Sequence, residues 1–504
     1  MNRVRRGMAP AMAMLGVCAL AAAATVPTLA QRVDAVLAAS AAARGAFWGI
    51  QAIDLATGRT VYELNANRFF VPASNTKLFS TALALTLLGP DATFQTRVLG
   101  GSLPDANGLL AGDLRLVGGG DPNLSPRTIP YEKGAVTGDP LIAIQDLADQ
   151  VAAKGVKRVL GDIVGDDTWY VWQPYADGWS LDDPNTKDGT AVSALAINDN
   201  SQTVAVRPGA AAGDLAVLQL KPALEYYLIE NRVRTVAADG ERRIHSERLP
   251  GSRTLRLWGT IPLRDTGEDL ALGIDDPALY AAMALRQALE QRGIAVDGQA
   301  VALHLLPQDV ADLRRAPAPA EVAGVELARR DSASLVECLR VTDKVSQNLH
   351  AEMMLRAVGR ARRNVGSREA GFEEMRTFLA QAGIPAAAYH LLDGSGMARL
   401  NLVTPSAVVR LLRHMYASPE RETFVSLLPV GGEDGTLAAR FTNAAQSGRV
   451  HAKTGSLAHV SALSGYAQRP NKGWVAFSIL VNNYNGQTAE IRQAMDKVCA
   501  LIME

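Results

Sequence analysis

The chain has 504 residues, too long for a single hydrophobic core, so two or three domains are expected. Apolar residues make up 48% and charged residues 20%, and Lys plus Arg balances Asp plus Glu at 51 each, which gives no reason to expect nucleic acid or an acidic surface as partner. The seven His are scattered and form no HExxH, no paired CxxC is present, and no metal or other cofactor is implied.

The N-terminus reads as a targeting segment. Arg3, Arg5 and Arg6 form a basic start, Met8 to Ala24 an apolar run, and Thr28-Leu29-Ala30 a small-residue site ahead of Gln31. A signal peptide over residues 1–30 is therefore expected, with a mature start near Gln31, a periplasmic destination and no stable membrane anchor. A retained anchor is the alternative, because the apolar run is barely long enough to span a bilayer. Only Cys338 and Cys499 remain after such processing. An oxidising compartment permits a bridge between them, and their spacing does not demand one.

Residues 47–55 and 59–64 flank the turn Ala56-Thr57-Gly58 and predict a β-hairpin. A helix is expected from 74 to 88, with Pro72 before it and Gly89-Pro90 after it. From about 94 to 300 the pattern changes to short β-like runs separated by Gly, Asp and Pro turns. Helical patterning returns at 278–292 and 332–361. The chain closes with strands at 460–467 and 474–481 and a helix at 488–502. The two ends thus read as one α/β unit interrupted by a long β-rich middle.

Three short motifs carry chemistry. Ser74-Asn75-Thr76-Lys77 places a serine and a lysine three apart at a helix start, hence on one face, where a buried amine of lowered pKa can accept the serine proton. Alone, the same four residues suit an ordinary N-cap serine and a solvated lysine. Ser346-Gln347-Asn348 offers a hydroxyl able to relay a proton and an amide able to hold a substrate backbone, and alone reads equally as a polar helix face. Lys453-Thr454-Gly455-Ser456 offers a cation for a substrate carboxylate, a glycine against which a substrate backbone can lie, and a strand N–H for an oxyanion. Its bland reading is a surface turn between strands. In this order, SxxK, SxN and KTG resemble the active-site set of penicillin-binding proteins and serine β-lactamases.

Further segments extend the likeness: Gly112-Asp113-Leu114 with Gly119-Gly120-Asp121-Pro122, Asp166-Asp167-Thr168, Asn198-Asp199-Asn200, Asp393-Gly394-Ser395-Gly396 with Arg399, and Gly435-Thr436-Leu437 with Arg440. With them, the chain resembles the D-alanyl-D-alanine carboxypeptidase/endopeptidases of the penicillin-binding protein 4 type over its mature length. Met397-Ala398 departs from the leucine-serine pair expected before Arg399. The resemblance implies a penicillin-recognising, transpeptidase-like α/β/α domain (31–93 and 311–504), split by a β-rich second domain (94–173 and 263–310) with a third nested inside it (174–262). It implies Ser74 as nucleophile, Lys77 as base, Ser346 and Asn348 as relay and substrate holder, and Lys453 as carboxylate anchor. Thr454, Gly455 and Ser456 would line the substrate strand, with the amides of Ser74 and Ser456 as the oxyanion hole. Peptidoglycan stem peptides and β-lactams are the expected partners. Asp167, or Asp166 in its place, would take the ammonium of a diaminopimelate side chain and Arg399 its carboxylate. A β-lactamase and a non-catalytic penicillin sensor or scaffold are the competing readings. The first lacks an obvious separate carboxylate motif for deacylation, and the intact motifs argue against the second.

Overall fold

The computed structural model describes Met1 and residues 27–504 apart from 135, 250, 319–321 and 471. The basic start and the apolar run of the expected targeting segment lie outside the described residues.

The two ends of the chain meet in one antiparallel sheet, ordered Val450–Leu457, Val460–Arg469, Gly473–Asn482, Phe47–Asp54, Thr60–Leu64. Phe47 pairs with Asn482 and Asp54 with Val475, so the first strand enters directly beside the last. Strand alternation sends Ala476 and Leu480 to one face and Phe477, Ile479 and Val481 to the other. The first face is covered by the helices Lys77–Leu88, Asn348–Arg363 and Pro405–Ala417, and the second by Leu29–Leu37 and Thr488–Met503. Helix Lys77–Leu88 is buried all round from Lys77 to Leu85, its apolar residues interrupted by Ser80 and Thr81, whose hydroxyls donate to the Gly394 and Lys77 carbonyls. It therefore carries its first-turn lysine into the core.

A second, mixed sheet runs Ala300–Leu305, Ile163–Val171, Leu114–Gly118, Gln95–Gly100, Val325–Asp331. Helices Ile142–Ala153 and Pro277–Gln291 cover it through Ile144, Leu147, Tyr280 and Leu285. Two three-stranded sheets lie beyond, one of Glu268–Gly273, Ser201–Arg207 and Val217–Lys221, the other of Leu228–Val236, Thr254–Pro262 and Arg243–Glu247. The ladders cross two of the expected segment limits. Val325–Asp331, beyond residue 311, pairs with Gln95–Gly100, and Glu268–Gly273, beyond 263, pairs with Ser201–Arg207.

Three local differences from the sequence expectation stand out, the first two of them at Ser74 and Ser346. Ser74 sits on a 3₁₀ turn, Ala73–Thr76, ahead of the helix proper. The expected helix 332–361 is broken into Leu335–Lys344 and Asn348–Arg363 around Ser346, whose φ of +63° no helix continues through. Helix Ile142–Ala153 lies in the stretch that reads as β. Cys338 and Cys499 are both buried and free. Among the described residues no helix is long and apolar enough to cross a membrane.

Candidate active site

The nucleophile turn is held by two glycines. Ala73 has φ +48°, a left-handed backbone that costs a residue with a Cβ about 1 kcal/mol or more. Gly396 packs on it so closely that a Cβ there would lie 1.9 Å from the Ala73 carbonyl oxygen. A Cβ on Gly455 would lie 2.8 Å from the Pro72 carbonyl oxygen and 3.1 Å from the Ser74 nitrogen. The KTG strand therefore runs directly beside the serine. Asn75 fastens the two elements by donating its side-chain N–H to the Lys453 carbonyl at 3.0 Å.

Lys77 Nζ lies 2.9 Å from Ser74 Oγ, 2.6 Å from Asn348 Oδ1 and 2.7 Å from the Ser395 carbonyl oxygen. The last two atoms are obligate acceptors, so they occupy two N–H bonds of the amine. The third direction faces Ser74, and on loss of one proton it becomes a lone pair aimed at the serine hydroxyl. Lys77 is fully buried. Burial pushes its ammonium down to about 8, against the carboxylates of Asp393, Asp343, Glu352 and Asp188, which pull it up. The loop that supplies the Ser395 carbonyl is itself fixed by buried acids. Glu352 Oε1 accepts from the amides of Gly394 and Ser395 at 2.7 and 2.9 Å, and Asp393 accepts from the amides of Gly396 and Ala398 at 2.8 and 2.7 Å.

Ser346 closes the site from the helix break. Its Oγ accepts from Lys453 Nζ at 2.8 Å, and the same ammonium donates to the Thr454 carbonyl at 2.8 Å. Lys453 is fully buried, and burial, followed by the nearby Lys77 charge, holds it well below the ordinary lysine range while Asp343 pulls it up. Asn348 opens helix Asn348–Arg363 and donates through Nδ2 to the Asp188 carbonyl at 2.9 Å, which ties the inserted segment to the site. Thr454 Oγ1 donates to Thr436 Oγ1 at 2.8 Å, and Ser456 Oγ accepts from Arg492 at 3.0 Å. A cleft of about 620 Å³ opens over Ser74, Ser346, Asn348, Thr454, Gly455 and Ser456. Such a site can activate a serine for acyl transfer beside a cation suited to a carboxylate.

The family model described as D-Ala-D-Ala carboxypeptidase 3 (S13) matches residues 29–501. The chain belongs to this family. It is a serine-type D-Ala-D-Ala carboxypeptidase. It is 36% identical over 477 residues to a D-alanyl-D-alanine carboxypeptidase of Actinomadura sp. strain R39, covering 92% of this chain and 83% of that protein. Its fold is similar to penicillin binding protein 4 (dacB) from Haemophilus influenzae, with TM-score 0.79, 22% identity, and 94% of this chain and 99% of that one covered. The same Haemophilus protein complexed with a β-lactam matches with TM-score 0.74 and 21% identity over 94% of this chain and 99% of that one.

In this S13 chain the structure brings Ser74, Lys77, Ser346, Asn348 and Lys453 together, with Thr454, Gly455 and Ser456 along one wall of the cleft. It does not bring Asp167 there, which corrects the expectation for that residue. Asp167 is 1% exposed and spends both carboxylate oxygens internally, on Ser193 Oγ at 2.8 Å and His304 Nδ1 at 2.9 Å. Asp166 is equally buried, accepting from Thr168 and facing Arg115 at 3.6 Å. Arg399 is exposed and donates to the Ala458 carbonyl at 3.1 and 3.2 Å. The acids that line the cleft are Asp183 and Asp188. Burial pushes the Asp183 carboxyl up, and Arg399 is among the groups that pull it back down. Met397, the departure from the family pattern, lines the same cleft. Thr436, Asp393 and Ser395 belong to segments that carry the family likeness, whereas nothing in the sequence marks Asp188, Glu352, Arg492 or Asp343. Among the described residues no group of His, Cys, Asp and Glu is arranged to hold a metal ion.

Proposed function

We propose that this carboxypeptidase removes the terminal D-alanine of peptidoglycan stem peptides through an acyl-enzyme on Ser74, and that β-lactams acylate the same serine. The observation that carries this reading is the placement of Lys77 Nζ at 2.9 Å from Ser74 Oγ with its other contacts on obligate acceptors. Lys77 takes the Ser74 proton as Oγ bonds to the penultimate carbonyl carbon. The amides of Ser74 and Ser456 receive the oxyanion. Ser346, held by Lys453, passes a proton to the departing D-alanine nitrogen as the peptide bond breaks and is reprotonated from the Lys77 ammonium, which returns that amine to its neutral form. Lys453 and Thr454 attract the terminal carboxylate. Water then cleaves the ester and frees Ser74. Release of D-alanine from an acyl-D-alanyl-D-alanine peptide, lost in Ser74→Ala, tests the reading. Penicillin hydrolysis outpacing that release would point to a β-lactamase.

The stem peptide's side chain meets Arg399 and, in place of Asp167, Asp183. A diaminopimelate end carries both an ammonium and a carboxylate, matching this acid and this guanidinium. The basic, apolar and small-residue pattern of residues 1–30 supports export to the periplasm. Helix Leu29–Leu37 begins inside that pattern, capped by Thr28 and Gln31, so processing ahead of Gln31 would remove its cap. N-terminal sequencing of the exported protein decides the start.

A further inference from the structure

One buried carboxylate beside the site has no role in the steps above. Asp343 lies on the last turn of helix Leu335–Lys344, three residues before Ser346, and is fully buried. Neither of its oxygens accepts a hydrogen bond among the described residues. A carboxylate stripped of water and of donors is costly unless cations compensate it. The groups facing it supply them. Lys77 and Thr81 face it from helix Lys77–Leu88, Lys453 from the KTG strand, and Lys344 from its own helix. The Thr81 hydroxyl is spent on the Lys77 carbonyl at 2.7 Å, and Lys344 is paired with Asp434 at 2.5 Å. Lys77 and Lys453 remain as its counter-charges. Lys77 is also faced by Asp393, Glu352 and Asp188, whereas Asp343 is the acid that pulls Lys453 up.

We propose that Asp343 is a positioning residue for the two site lysines: its carboxylate keeps one proton on the Lys77–Lys453 pair, so that one amine serves as base while the other remains an ammonium. Without it, two buried amines that repel each other would both tend to be neutral, leaving no cation for the substrate carboxylate or for the hydrogen bond to Ser346. Burial pushes the Asp343 carboxyl up to about 7, with Lys453 and Lys77 opposing, so its charge is present in the range where Lys77 titrates. The inference rests on the Ser74–Lys77 reading. Loss of labelling in Ser74→Ala tests that reading, whereas the position of the pH profile tests this one.

The experiment is the second-order rate of labelling by a fluorescent penicillin from about pH 6 to about pH 10, on wild type, Asp343→Asn and Asp343→Glu, with thermal unfolding of each. Removing a negative charge close to an amine lowers its pKa, so the rising limb of Asp343→Asn should move about 1 pH unit to the acid side. Asp343→Glu should stay near wild type. A uniform rate loss with an unmoved limb, or an alkaline shift, would overturn the proposal. If Asp343→Asn does not fold, Asp343→Ser is read in the same way. Failure of both neutral variants to fold would also overturn it, since the carboxylate would then serve the fold and not the protonation of the lysine pair.

Discussion

Ser74 and Lys77 share a single constraint, that the amine must be unprotonated when the serine attacks. Burial brings the Lys77 ammonium down to about 8, so it is protonated below that pH and free above it. Acylation by penicillin should therefore rise through about pH 8 and level off on the alkaline side, and a limb near the ordinary lysine value would contradict the base assignment. Lys77→Arg retains the charge and cannot deprotonate, so it should cost about 10³-fold or more in acylation rate. The side-chain pocket gives a second contrast. Asp183→Asn should lower turnover of a substrate ending in free diaminopimelate about tenfold relative to a plain acyl-D-alanyl-D-alanine, with penicillin acylation little changed. Asp167→Asn should lower all three in proportion, because its carboxylate is used by Ser193 and His304. The reverse pattern would return the ammonium site to Asp167.

At the scale of elements, the site depends on how tightly the nucleophile turn, the Asp393-Gly394-Ser395-Gly396 loop and the KTG strand approach one another. Gly396 combines φ +89° with a Cβ position 1.9 Å from the Ala73 carbonyl oxygen. Gly396→Ala should therefore displace the Ser74 turn and slow acylation about 100-fold, measured against the folded fraction at each temperature. A near-normal rate would show that the turn tolerates the shift. The same elements show what a sequence conveys. SxxK was legible because residues three apart on a helix share a face whatever surrounds them. The KTG strand was legible from its neighbours, two β-like runs and a terminal helix. The break at Ser346 was not, because Leu335, Leu339, Leu349 and Met353 keep an apolar face on both sides of it, and the left-handed residue is held by Lys453 from a distant strand. Asp167 was misplaced for a related reason. Its partner His304 is 137 residues away, and no local pattern separates a carboxylate sunk in a core from one lining a cleft.

Across the whole molecule, buried polar ties bind the inserted sheets to the catalytic helices. Asp199 accepts from Arg127 through both oxygens and meets His350 Nε2 at 3.0 Å, two residues past Asn348. Arg356 pairs with Glu352 at 3.2 Å and donates to the Gln173 carbonyl at 3.0 Å. Within the insertion, His304 lies between Asp167 and Asp276 and stacks on Trp172 at 4.0 Å. Burial disfavours its charge, but hydrogen bonds to the two aspartates outweigh burial and raise it from 6.5 to about 10. A raised histidine stabilises the fold fully below its unfolded value, and that contribution fades as pH climbs toward the folded one. Thermal stability should thus decline between about pH 6.5 and about pH 10 in wild type, and this slope should be absent in His304→Gln. That variant should also lose about 3 kcal/mol near neutrality, since it leaves Asp167 buried without its cation. Peptide mapping by mass spectrometry after incubation with penicillin, in parallel on wild type and folded Ser74→Ala, tests Ser74 as the nucleophile. A single acyl adduct on the peptide containing Ser74, absent from the variant, is the result predicted. An adduct on another residue, or one that persists in Ser74→Ala, would contradict Ser74 as the nucleophile.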